Sequence, residues 1–388
     1  MTTTIERPTA ANLSTTLPPV SSNITALKPY QPGKPIEEVK RELGLSGEIV
    51  KLASNENCLG ASPKALAALQ DALPSLFLYP DGACHTLRQA VARKVGVPDD
   101  WLIFGNGSDE VIHLLGLTFL SPGSDVVVGD PTFVLYESAT TLAGANLVKV
   151  PLTNPGLVHD IEAMTNALSG NTRLVFLANP HNPTGTTVGR REVETLLSRL
   201  PSGALLVLDE AYGEYVYDDP QFPAGLQYVR DGAPVVVLRT FSKMYGLAGL
   251  RVGYGVARPE IIRLLNQPRS PFNVNLAGQI AATAAVDDDH FVQQSLKANR
   301  DGLEQLYKGF TELGLSYTPS FANFVVADTR RPAKAVFEAL LRQGVIVRAG
   351  FAHLPTHIRV TVGTRDQNQQ FLNALEAVLP NVPLAEGM

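Results

Sequence analysis

Val235-Val236-Val237-Leu238, followed one residue on by Thr240-Phe241-Ser242-Lys243, is the stretch that decides how this chain is read. A continuous apolar run of this kind is the signature of a strand buried on both faces. The chain then breaks into small and polar residues, Gly246, Ala248, Gly249 and Arg251, and a second strand-like run begins at Arg251-Val252-Gly253-Tyr254. An ammonium at the end of a buried strand loses solvation, which favours the neutral, nucleophilic amine. The hydroxyls of Thr240 and Ser242 and the Arg251 guanidinium suit a phosphate. The stretch therefore reads as a Schiff-base lysine beside a phosphate cup. Taken alone, the same residues are better described as a surface lysine on an ordinary loop.

Upstream, apolar runs alternate with helical spacings. Strands are predicted at Leu102-Ile103-Phe104, Asp125 to Val128, Leu147 to Val150, Leu174 to Leu177 and Leu205 to Leu208, with helices between them. That alternation predicts an α/β fold built on a mostly parallel sheet with right-handed crossovers. Three polar residues fall just past the C-terminal ends of buried strands: Asn182, Asp209 and Lys243. In an open α/β sheet that edge is where ligands bind. A carboxylate buried there must be paired. Capping explains any one of the three, but explains all of them poorly. Gly105-Asn106-Gly107-Ser108-Asp109-Glu110 joins a strand to an apolar-faced helix. It reads either as an anion site of free backbone N–H groups or as plain capping by Ser108 with acids in the first turn.

Beyond Leu265 the order of elements loosens. A long helical region runs to about Phe310, then strands at Asn323 to Val326, Val345 to Arg348 and His357 to Val362, with helices at Ala333 to Gln343 and Gln367 to Leu379. This predicts a smaller α+β domain, with Arg348 and Arg359 on its strands. Residues 1–28, rich in Thr, Ser and Pro, read as a disordered tail. Residues 29–50 read as an arm joining the small domain, 51–285 as a large cofactor-binding domain and 286–388 as the small domain.

The 388 residues carry a net charge of −5 and no basic run, which argues against nucleic acid or a membrane surface as a partner. No stretch approaches the roughly 18 apolar residues of a membrane span. Two cysteines, Cys58 and Cys84, are too few for a disulfide framework and read as reduced thiols in a cytoplasmic protein. The histidines show no metal-ligand spacing, so no metal is expected.

Several separated motifs give the chain a family likeness: Asn55-Glu56-Asn57, Tyr79-Pro80-Asp81, Gly107-Ser108-Asp109-Glu110, Asn179-Pro180-His181-Asn182-Pro183-Thr184-Gly185, Asp209-Glu210-Ala211-Tyr212, Thr240-Phe241-Ser242-Lys243 with Arg251, and Arg359-Val360-Thr361-Val362-Gly363. From about Tyr30 to Ala377 it resembles the pyridoxal-phosphate enzymes of fold type I, which have the aspartate-aminotransferase-like architecture. Within them it is most similar to the histidinol-phosphate aminotransferases. The resemblance implies a large sheet sandwiched by helices and pyridoxal 5'-phosphate held on Lys243. It implies Asp209 on the pyridine nitrogen, Asn182 and Tyr212 on the phenolic oxygen, and Phe133 against the ring. Ser242, Thr240, Arg251 and the Gly107, Ser108 and Asp109 backbone would hold the phosphate. Tyr79 would reach the phosphate of a partner subunit, which implies a homodimer with shared sites. Arg348 and Arg359 would bind the anionic ends of the substrates, Tyr30 and Asn55 would line the pocket, and Asn182–Pro183 would be cis.

The implied activity is transamination between glutamate and imidazole acetol phosphate, a step of histidine biosynthesis. An aromatic aminotransferase and a threonine-phosphate decarboxylase are alternatives on the same motifs. Cys58, where the family carries proline, and Gly82-Ala83-Cys84-His85 depart from the pattern near the expected substrate entrance.

Overall fold

The computed structural model describes residues 18–27, 36–44, 47 and 49–385. The strands in chain order are β1 (Val50–Lys51), β2 (Leu102–Asn106), β3 (Asp125–Asp130), β4 (Asn146–Pro151), β5 (Thr172–Ala178), β6 (Leu205–Asp209), β7 (Val235–Thr240), β8 (Val252–Val256), β9 (Ser316–Thr318), β10 (Phe324–Asp328), β11 (Val345–Ile346) and β12 (His357–Thr361). Seven of them form one sheet in the order β2-β8-β7-β6-β5-β3-β4. All neighbours are parallel except β8, which runs antiparallel to both β2 and β7. The antiparallel return is short. β7 and β8 are joined by the turn that carries Lys243, with no crossover helix between them.

The apolar runs of β5, β6 and β7 feed two cores at once. Val175, Leu177, Leu206, Leu208, Val235 and Val237 enter one hydrophobic cluster. Leu174, Phe176, Leu205, Val207, Val236 and Leu238 enter the cluster on the opposite face. Side chains alternate across a strand, so an unbroken apolar run is what a sheet covered on both faces requires. The same alternation carries on to the last strand residues and to Glu210 just beyond β6. It sends Asp209 and Thr240 to the second face and Glu210 and Arg239 to the first.

A third core gathers around the antiparallel sheet β12-β10-β9 and includes Leu306, Phe310, Val360 and Phe371. Val50 and Leu52 belong to it, because β1 pairs in parallel with β11. The 24-residue helix Asp289–Glu312 links this core to the large sheet, with Leu296 in the first core and Leu303, Leu306 and Phe310 in the third.

Three features differ from the sequence reading. Within the stretch read as a tail, Ser22–Ala26 form a short helix capped by the Ser21 hydroxyl. The helix Gly225–Arg230 and the edge strand β9 are additional elements too short to show a period. No helix among the described residues is long and apolar enough to cross a membrane.

Candidate active site

The turn after β7 is built by hydrogen bonds to Thr240. Its hydroxyl accepts from the Ser242 amide at 3.1 Å and donates to the Val252 carbonyl at 3.3 Å. Gly246, in the left-handed region at φ 67°, lets the turn lie against Gly60, whose carbonyl would sit 1.9 Å from any added Cβ. The result presents Ser242 and a half-buried Lys243 at the C-terminal edge of the sheet. Lys243 Nζ donates to the Ser54 carbonyl at 3.1 Å and lies 5.7 Å from the centre of the Tyr212 ring.

Beside it is a cradle for an anion. Gly107 takes φ 77° and leads into the helix Ser108–Phe119, whose first turn leaves backbone N–H groups without helical partners. A Cβ at Gly107 would stand 2.6 Å from Arg251 Nη2. Arg251, itself left-handed at φ 56°, donates Nη2–H to Asp109 Oδ2 at 2.8 Å. The Asp109 carboxylate is thus turned onto the arginine, which leaves its backbone to the anion.

Asp209 ends β6 and is 5% exposed. Its Oδ2 accepts from the Tyr136 hydroxyl at 2.6 Å and its Oδ1 from the Ala211 amide at 3.1 Å. Burial pushes its carboxyl up to about 6, against the two hydrogen bonds, which pull it down. Phe133 stands edge-on to Tyr136, ring centres 5.7 Å apart.

The antiparallel sheet β12-β10-β9 meets the site from the other side. Arg359 on β12 is 7% exposed and lies over the Phe324 ring at 5.1 Å. It donates Nη1–H to Asn182 Oδ1 at 2.7 Å and Nη2–H to the Ala53 carbonyl at 2.8 Å. Arg348 and Arg359 face each other across an antiparallel bridge, exchanging backbone hydrogen bonds of 3.0 and 2.7 Å. Asn55, at φ 56° and 1% exposed, donates its side-chain amide to the Tyr212 hydroxyl at 2.8 Å and accepts from the Thr361 hydroxyl at 3.1 Å. Asparagine tolerates the left-handed region better than most residues, so the turn and the site contact are one feature. The Asn182–Pro183 bond is cis.

The structure therefore brings Asn55, Gly107, Ser108, Asp109, Asn182, Asp209, Tyr212, Ser242, Lys243, Arg251 and Arg359 to one sheet edge. Tyr79 does not join them within the chain. It is 84% exposed and stacks on Phe272 with centroids 5.0 Å apart. Tyr30 lies outside the described residues. Cys58 was expected at the substrate entrance. Instead it lines an open cleft between the helices Asp289–Glu312 and Arg365–Val378, none of whose lining residues is a candidate site residue. The cause is Asn57, whose amide is tied to the Met244 carbonyl and the Ser295 hydroxyl at 2.8 and 2.9 Å and turns the chain that way. Cys84 is buried in the large core, and burial pushes its thiol up to about 11.

Sequence reasoning missed three contributors. Tyr136 reads only as a helix-face aromatic. Ser54 contributes a backbone carbonyl, which no side-chain pattern announces. Thr361 shows itself only as part of the Arg359–Gly363 motif, and its hydroxyl contacts to Asn55 need the fold to be seen.

Residues 47–375 match the family model "Aminotransferase class I and II". The chain is 52% identical over 367 residues to the histidinol-phosphate aminotransferase of Moorella thermoacetica, covering 94% of each protein. Its fold matches the crystal structure of histidinol-phosphate aminotransferase from Sinorhizobium meliloti in complex with pyridoxal-5'-phosphate, with a TM-score of 0.86 at 28% identity over 95% of this chain and 99% of that one. It also matches a Thermus thermophilus aspartate aminotransferase double mutant, with a TM-score of 0.79 at 25% identity over 93% of this chain and 100% of that one.

Proposed function

The chain belongs to the class I and II aminotransferases, and from that premise we propose that it transfers an amino group between glutamate and imidazole acetol phosphate, yielding histidinol phosphate and 2-oxoglutarate with pyridoxal 5'-phosphate as cofactor. The observation that carries the chemistry is the convergence of Lys243, Asp209 and Arg359, from three separate segments, on one sheet edge. The substrate follows from the Moorella relative, which shares half of its residues with this chain over nearly its whole length.

The residues fit the cofactor. The Gly107 cradle would be filled by any side chain, and with Arg251, Ser242 and the amides opening Ser108–Phe119 it offers an anion a donor set. Asp209 is a buried carboxylate whose hydrogen-bond donors, Tyr136 and Ala211, carry no positive charge, and a protonated ring nitrogen would supply that charge. Bound pyridoxal phosphate supplies an aldehyde carbon that takes the amino group and a ring that spreads the electron pair left behind when the α-proton departs. Everything else falls to the protein. Lys243 Nζ takes the α-proton and returns it on the other side of the transfer. Asp209 holds the proton at the ring nitrogen. Asn182 and Tyr212 donate to the phenolic oxygen. Phe133 covers the ring face and excludes water. Arg359, with Arg348 beside it, clamps substrate carboxylate or phosphate, and a planar guanidinium already held by Asn182 and Ala53 binds it with little reorganisation.

The same reading divides the chain into a cofactor-binding part, 51–285, and a smaller part that grips the anionic end of the substrate, 286–388 with the arm 29–50. It makes the protein a cytoplasmic homodimer. Leu73, Leu76, Phe77, Leu78, Tyr79 and Phe272 expose between 46% and 84% of their surface along one segment and its neighbour, an apolar ridge that suits burial against a second copy. Tyr79, at its tip, would complete the partner's phosphate site.

The test is a substrate panel. Turnover of histidinol phosphate with 2-oxoglutarate supports the assignment. Turnover of phenylalanine or tyrosine in its place moves the enzyme to the aromatic aminotransferases. Loss of carbon dioxide from threonine phosphate without a keto acid moves it to the decarboxylases. Sedimentation of a monomer would remove the shared-site arrangement.

A further inference from the structure

Tyr136 is fully buried on the helix Val134–Leu142, one turn beyond Phe133. Its ring lies flat on Phe176 of β5, with centroids 4.4 Å apart and planes 9° from parallel, and meets the edge of Phe133 at 84°. Phenylalanine would pack in that slot equally well. The hydroxyl is the part that packing does not require, and a buried hydroxyl without a partner is unfavourable. Its partner is Asp209 Oδ2 at 2.6 Å. Burial beside that carboxylate pushes the phenol well above its ordinary range, so it remains a donor at any physiological pH.

Resting on the aminotransferase reading above, we propose that Tyr136 is a positioning residue for the reaction: its hydroxyl holds the Asp209 carboxylate in the rotamer, and in the ionised state, that the cofactor's ring nitrogen needs. Asp209 sits at a strand end, where its carboxylate could otherwise rotate about χ2, a broad torsion with little preference of its own. The Ala211 amide holds one oxygen and Tyr136 the other, and each oxygen keeps a lone pair for a further donor. The charged and titratable groups that bear on this carboxylate are Asp109, Glu210 and Tyr136, and Tyr212 bears in turn on Tyr136. The two acids oppose its ionisation, and Tyr136 is the side chain that favours it. A strand-end acid steadied in this way keeps the ring nitrogen charged throughout the proton transfers at Lys243, so Tyr136 acts on the reaction through Asp209 without touching substrate.

Tyr136→Phe tests this by cofactor binding, independently of turnover. Pyridoxal phosphate dissociation constants are measured between about pH 5 and pH 8 for the wild type, Tyr136→Phe, Asp209→Asn and the double variant. Removing one charge-assisted hydrogen bond should weaken binding about tenfold at pH 7. The pH at which cofactor is lost should move upward, because the group that favours the ionised acid is gone. In the Asp209→Asn background the same change should alter binding by less than about twofold, since the two residues act as a unit. Equal dissociation constants and equal pH midpoints in wild type and Tyr136→Phe would overturn the proposal. So would a tenfold effect that persists in the Asp209→Asn background, which would make the hydroxyl merely structural. A wild-type protein that takes up no pyridoxal phosphate would sink the aminotransferase reading itself, and this inference with it.

Discussion

Arg359 donates to Asn182 Oδ1 at 2.7 Å, across 177 positions of sequence. One residue belongs to the small antiparallel sheet and the other to the loop after β5, so the pair ties substrate clamp to cofactor edge. Arg359→Lys keeps the charge and loses the planar fork. Steady-state kinetics should show kcat/KM for glutamate falling roughly 10- to 100-fold, the loss of one hydrogen bond to a charged group. Cofactor retention should stay near that of the wild type. A variant as active as the parent would remove Arg359 from carboxylate binding.

Lys243→Ala should abolish the visible absorbance of the cofactor-supplied protein and lower turnover by about 10²- to 10⁴-fold, the usual contribution of a positioned acid–base group. Borohydride should label the wild type at Lys243 and leave the variant unlabelled.

Gly107→Ala places a methyl group 2.6 Å from Arg251 Nη2 on a backbone at φ 77°. Arg251 must then leave Asp109 or the turn must open. Pyridoxal phosphate should bind about tenfold more weakly, on the scale of one lost charge-assisted contact. The far-UV circular dichroism should be unchanged.

Glu210 and Arg239 form a buried ion pair at 2.9 Å, with 1% and 8% of their side-chain surfaces exposed, and Glu210 also accepts from Tyr217 at 2.7 Å. Arg239→Met leaves that carboxylate buried without its cation. Urea unfolding should show a loss of about 3–5 kcal/mol. An unchanged midpoint would mean that the pair contributes nothing to holding β6 against β7.

Burial pushes the Asp209 carboxyl up to about 6, and it must be ionised to hold a protonated ring nitrogen. Burial raises this carboxyl in the folded protein, so the ionised form is present above about 6 and lost as pH falls through it. Cofactor affinity should therefore be flat above about pH 7 and drop as pH falls below about 6, by up to roughly tenfold per unit. Equilibrium dialysis across that range measures it, and affinity that does not change with pH would remove Asp209 from the nitrogen.

Much of this was legible in the chain because buried strands announce themselves. Val235 to Leu238 and Leu205 to Leu208 place Lys243 and Asp209 at strand ends without further information. The partnerships between distant segments were not legible. Nothing in the Gly107–Glu110 stretch shows that the Asp109 carboxylate is held by Arg251, 142 positions away. The reversed direction of β8 was hidden as well, since Val252 to Val256 reads the same whichever way it runs. Tyr136 was lost among the core aromatics, because helical spacing reports which face is buried and says nothing of what a hydroxyl at its tip will meet. Gly225–Arg230 and Ser316–Thr318 are too short to complete a period.

β1 lies at residues 50–51 and its partner β11 at 345–346. Immediately after β1 comes Ser54, whose carbonyl receives Lys243, and then Asn55, which receives Thr361. During synthesis the seven-stranded sheet can be completed once Val256 has emerged, and it already carries Asp209 and the lysine. The segment that roofs them must wait roughly ninety residues longer for its edge, a delay imposed by connectivity. A nascent chain at that stage has an amine without its lid, so competence waits for the strand that carries Val345 and Ile346.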